Sequence, residues 1–241
     1  MMMQDMDLAY SAGGLNMNGR LFLPDDTGAP TPGVLVFPEA FGLGEHAISR
    51  ARRLAGLGYV ALACDLHGDR KVIEELGAVM PVINALRADA LKIRALTDPA
   101  LAALVARPEV DARRIGAIGF CFGGTMALEL ARGGANVAAV VGFHSGLGTT
   151  RREDAAAIQG RVLVCIGADD PGIPAAQRAE FEEEMRAGGV RAQIMVYGGV
   201  VHSFTNEHAD RLGRPEFARY DAEADRHSWM LMQDSFREAF A

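Results

Sequence analysis

The chain has 241 residues, 49% of them hydrophobic and 23% charged, which suits one sizeable α/β domain and excludes a disordered chain. Its formal net charge of −7 repels phosphate backbones, and the basic pairs Arg52-Arg53, Arg113-Arg114 and Arg151-Arg152 are not interleaved with aromatics, so no nucleic-acid partner is expected. Residues 1–10 lack a basic and apolar leader pattern, no run of 18 apolar residues occurs, and three cysteines do not suggest a disulfide framework, so the expectation is a cytoplasmic protein without membrane contact.

In chain order, residues 7–10 and Leu15–Leu23 predict two short strands, with Asn18-Gly19 marking a turn or bulge in the second. Residues 24–33 predict a polar loop. The continuous apolar run 34–37, ended by Pro38, predicts a buried parallel strand. Residues 45–57 place Ile48, Ala51, Leu54 and Ala55 at helical spacing before Gly58. A strand follows over 59–63. Residues 69–81 are the least regular stretch and a candidate small cap over a site. Residues 82–96 predict a helix with Ile83, Leu86, Ala90 and Ile93 on one side, and Asp98-Pro99 reads as the cap and first position of the next helix. Strands are then expected over 115–119, 137–143, 161–166 and 193–197. They alternate with helices over 123–131 and 174–187, and a final helix covers roughly 216–240. Such alternation predicts an α/β fold in one domain, its mostly parallel central sheet covered by helices on both faces.

Ligands of open parallel sheets bind beyond the carboxyl ends of the strands, which selects the loops 38–44, 65–70, 120–124, 144–148, 167–174 and 198–204. Gly119-Phe120-Cys121-Phe122-Gly123-Gly124 joins a strand to a helix in the G-x-S-x-G elbow pattern, with cysteine in the serine position. The sharp turn needs neighbours without side chains, the helix N-terminus favours a thiolate, and the Phe122 amide is placed to stabilise an oxyanion. The plainer alternative is a buried cysteine among packing glycines. The loop 167–174 supplies Asp169 and Asp170, either able to orient a histidine or to cap a turn, and the loop 198–204 supplies His202. Nucleophile, acid and histidine occur in the order of the α/β-hydrolase fold, each at a strand end.

Other chemistries fit less well. The glycines do not make G-x-G-x-x-G, no phosphate-binding G-x-x-x-x-G-K-[ST] loop occurs, and no C-x-x-C offers Cys121 a resolving thiol for redox work. His202 and His208 are too far apart for two ligands on one helical face, and Asp65 with His67 reads as structural, so neither metal nor cofactor is expected.

The elbow, together with Gly167-x-x-Asp170-x-x-Ile173-Pro174, His202-Ser203-Phe204 and Phe37-Pro38-Glu39-Ala40-Phe41-Gly42, resembles the dienelactone hydrolase family across nearly the whole chain. The resemblance implies an α/β-hydrolase fold and hydrolysis of a small ester or lactone. Cys121 would be nucleophile, His202 base and Asp170, rather than Asp169, its partner. Glu39 would hold the resting thiol, and the Ala40 amide would join that of Phe122 in the oxyanion hole. Phe41, Arg87, Ser203 and Asn206 are candidate substrate contacts. Asn206 stands where the family's lactone hydrolases carry an arginine that grips a substrate carboxylate. The alternative from another class is a non-catalytic small-molecule binding protein of the same fold. A monomer or homodimer is expected.

Overall fold

The computed structural model describes residues 4–25 and 28–241. The chain opens with an antiparallel hairpin of β1 (Gln4–Ala12) and β2 (Leu15–Leu23), turning through Gly13-Gly14. Both glycines have positive φ, 57° and 80°, as a two-residue hairpin turn of the mirror-image type requires. Asn18-Gly19 marks neither turn nor bulge. It lies in regular register, Asn18 opposite Ala9 and Gly19 opposite Leu8. A Cβ on Gly19 would stand 2.8 Å from the Leu62 side chain and 2.9 Å from the Ala63 carbonyl, so the glycine serves close approach of the next strand.

That strand is β4 (Val60–Ala63), antiparallel to β2 and parallel to β3 (Thr31–Phe37). The sheet continues in parallel through β5 (Val110–Phe120), β6 (Ala139–Phe143), β7 (Arg161–Gly167) and β8 (Ala192–Tyr197). The order is β1-β2-β4-β3-β5-β6-β7-β8. Central strands are apolar on both sides because both faces are covered. On one face Val34, Val36, Ile118 and Phe120 pack against α1 (Glu45–Ala55) and α6 (Ala222–Ala239) through Leu54, Trp229 and Phe236. On the other, Leu35, Ala117, Val140 and Val164 meet α2 (Leu76–Arg87), α3 (Ala90–Val105), α4 (Phe122–Arg132) and α5 (Ala175–Ala187).

The helices between β4 and β5 differ from expectation. One helix over 82–96 is replaced by two, and the irregular stretch ends at Glu75 because α2 already begins at Leu76. The break falls at Ala88-Asp89, where the Asp89 carboxylate caps α3 by accepting the Leu91 amide at 3.0 Å. Asp98-Pro99 starts nothing; Pro99 lies inside α3. A proline there costs about 3 kcal/mol. Burial of Ile93, Leu96 and Leu104 on the same helix, at about 1.5–3 kcal/mol each, offsets that cost. The last helix begins at Ala222, capped by Asp221, and not near residue 216. Among the described residues no helix is long and apolar enough to cross a membrane.

Candidate active site

β5 delivers Cys121 to the sheet's carboxyl edge and α4 leaves from it at once. Cys121 has φ 55° and ψ −119°, a conformation that costs a non-glycine residue about 1–3 kcal/mol. The surrounding glycines explain how the turn closes. A Cβ on Gly119 would lie 2.0 Å from the Gly123 carbonyl oxygen, and one on Gly123 would lie 2.3 Å from that of Phe37. One on Gly124 would fall 1.6 Å from the Ser145 hydroxyl. The end of β3 is thereby pressed onto the elbow, which brings the 38–40 segment beside Phe122, the first residue of α4, whose amide has no acceptor within the helix. Cys64 and Cys165 are buried, and burial pushes both thiols up; Cys121 is partly exposed.

His202 meets Asp170, not the exposed Asp169. Its Nδ1 lies 2.7 Å from Asp170 Oδ2, and the second carboxylate oxygen accepts the Gly172 amide at 2.8 Å. The carboxylate can only accept, so Nδ1 carries the hydrogen. The imidazole stacks on Phe217 at 5.2 Å, and residues 217–219 exchange backbone hydrogen bonds with His202, bracing the loop. Burial pulls the His202 pKa down. The charge of Cys121 and hydrogen bonds to Asp170 and Cys121 outweigh it, and the value is pushed up to about 10.

A group whose folded pKa is raised stabilises the fold fully below its ordinary value, here 6.5, and loses that contribution as pH rises through about 10. Urea unfolding of the wild type and His202→Gln should therefore give a stability difference that narrows between pH 6.5 and 10. A difference that stays constant across this range would contradict the raised pKa.

Glu39 is held by the residues that follow His202 and by His46. Its Oε2 accepts the Asn206 side-chain amide at 2.7 Å and lies 3.5 Å from His46 Nδ1, and its Oε1 accepts the Ser203 hydroxyl at 3.3 Å. Burial raises its pKa, but the charges of His46 and His202 and the Asn206 hydrogen bond together hold the carboxyl below its usual range. Asn206 thus engages Glu39. A cavity of about 550 Å³ brings Glu39, Phe41, Ser203 and Asn206 together with His46 and Leu212. Arg87 is exposed in the last turn of α2, with its guanidinium 5.7 Å from the centre of the Phe122 ring.

Four residues were missing from the sequence-based site. His144, directly after β6, has φ 42° and is fully buried. Burial, then the charges of His202, His46 and Arg50, hold its pKa well below the ordinary histidine value, so it is neutral. Its Nδ1 accepts the Cys121 amide at 3.2 Å, which leaves the hydrogen on Nε2 to be donated to Thr205 Oγ1 at 2.8 Å. Thr205 Oγ1 lies 3.3 Å from His46 Nε2, and Arg50, ion-paired with Asp225, donates to the Thr205 carbonyl. A polar line therefore runs from Glu39 through His46, Thr205 and His144 to the backbone of Cys121. The usable signal was position, since His144 and His46 adjoin loops at the sheet's carboxyl edge. Asp65 accepts the backbone amides of Asn18, His67 and Arg70, so it braces a loop. Among the described residues no group of three or more His, Cys, Asp or Glu is arranged to hold a metal ion.

The sheet order, its two helical layers and the strained residue at the β5–α4 junction define an α/β-hydrolase-fold protein. The model of the dienelactone hydrolase family matches residues 17–240, and the chain belongs to that family. Among solved structures, m3DLH is 46% identical with a TM-score of 0.95, covering 99% of each chain. A dienelactone hydrolase-like promiscuous phosphotriesterase from metagenomic libraries is 42% identical with a TM-score of 0.93, covering 98% of each. The "Putative carboxymethylenebutenolidase" of Methylorubrum extorquens is 33% identical over 221 residues, 88% of this chain and 73% of that one.

Proposed function

We propose that the protein hydrolyses small esters or lactones through a thioester on Cys121. The observation that carries this reading is the Asp170–His202 hydrogen bond, together with a cysteine at a strained strand–helix junction whose charge acts on that histidine. His202 takes the thiol proton and the sulfur attacks the acyl carbon. The amides of Phe122 and Ala40 receive the oxyanion. The carbon–oxygen bond breaks, His202 returns the proton to the leaving alcohol, and the acyl group remains on sulfur. Water, deprotonated by His202, then adds to the thioester carbon and expels the thiolate, which recovers a proton from the imidazolium. Asp170 keeps the imidazole oriented and stabilises its charged form.

Asn206 is tied to Glu39 and itself provides no cation for a substrate carboxylate. The first test is to mix the protein with an activated aryl ester, quench within one turnover, and weigh the peptide containing Cys121. The expected result is a mass increase equal to the acyl group. Steady turnover with no acyl mass on that peptide would refute the thioester. A second reading, favoured by the 42%-identical phosphotriesterase, is attack of the same sulfur on a phosphotriester. Including paraoxon in the panel tests it, and a release of nitrophenol that survives Cys121→Ala would reject it.

A further inference from the structure

We propose that a second pocket, between the β1–β2 hairpin and helices α2 and α3, binds a small monocarboxylate with an apolar chain. The cavity measures about 550 Å³ and is walled by Leu66, Ile73, Leu86 and Leu96. Leu15 and Val82 also line it and are 43% and 39% exposed, an arrangement of large apolar side chains left without cover.

The charge of the pocket identifies the occupant. The chain contains 24 lysines and arginines, of which only Lys71 and Lys92 are lysines. Both line this one cavity, beside His67. The chain also has 31 acidic residues, yet none is in the lining. Neither lysine has an ion-pair partner among the described residues. Lys92 sits in the first turn of α3, where the helix dipole disfavours a cation, so its charge does not serve the helix. The two lysines are separated by all of α2 in sequence and are brought together by the break that Asp89 makes between α2 and α3.

An anion with an apolar body satisfies both halves of this surface. Ammonium groups on flexible stems suit a single mobile carboxylate, whereas a planar guanidinium favours fixed, two-pronged contacts. At about 30 Å³ per heavy atom, a ligand of roughly ten heavy atoms fills about half of the cavity. An eight-carbon fatty acid has that size. Cys121, His202, Asp170 and Glu39 are all absent from the lining, so occupancy does not depend on the proposed reaction.

Titration calorimetry of the full chain with octanoate tests the inference, with 1-octanol and the double variant Lys71→Met/Lys92→Met as comparisons. The expected result is one equivalent of octanoate bound, at least tenfold more weakly by the double variant, and octanol at least tenfold weaker than octanoate. Both lysines are exposed, so the variant should melt with the wild type. If it does not, the single substitutions are measured, and each should weaken octanoate. No binding, equal affinity for octanol, or octanoate affinity unchanged by loss of the lysines would each overturn the proposal. The last of these is also what binding of octanoate as a product near Cys121 would give.

Discussion

Replacing Cys121 with alanine is expected to lower kcat/KM for a small aryl ester by about 10⁴-fold or more, or about 5.5 kcal/mol of transition-state stabilisation. The residual rate would come from the amides of Phe122 and Ala40, which the substitution leaves in place. Alanine carries no group for His202 to deprotonate, so the loss should fall on kcat more than on KM. Iodoacetamide should have the same effect on the wild type, because Cys64 and Cys165 are buried and Cys121 is partly exposed. Hydrolysis that survives either treatment would mean that the elbow cysteine is not the nucleophile.

A large effect on stability is expected from one methyl group. In Gly123→Ala the new carbon would lie 2.3 Å from the Phe37 oxygen and 2.4 Å from the Pro38 oxygen, both backbone atoms at the end of a central strand. Neither can rotate away. Overpacking of this kind costs about 3 kcal/mol, and a chain of this size then melts roughly 6–12 °C lower. Gly14→Ala is the control. Gly14 has φ 80° with nothing within 4 Å of the added carbon, so it pays only for its backbone conformation, about 1–2 kcal/mol. If Gly123→Ala melts no lower than Gly14→Ala, close packing of β3 against the elbow is not what the glycine protects.

Much of this architecture was legible because it is written locally. β2 spans Leu15–Leu23 as expected, and the elbow glycines occupy positions whose steric demand repeats wherever a strand turns abruptly into a helix. Asp170 and His202 were readable because each lies in a loop that follows a parallel strand at the sheet's carboxyl edge. Local signals failed where tertiary packing overrode them. Pro99 is a strong helix-start residue, yet the burial of α3 carries the helix through it. Gly19 follows an asparagine as in a turn, but its missing side chain makes room for Leu62. The line through His144, Thr205 and His46 joins residues from three separate elements. No spacing in the chain encodes that histidine's hydrogen bond to a backbone amide 23 positions away.

The scarcity of lysine also offers a practical handle. A reagent that reacts with primary amines would find, besides the amino terminus, only the two ammonium groups at the mouth of the pocket between the hairpin and α3. Among side chains, attachment of a dye or a tether would therefore be confined to that corner of the molecule without any engineered residue. Protection of those amines from acylation would report, one side chain at a time, whether something already occupies the space between them.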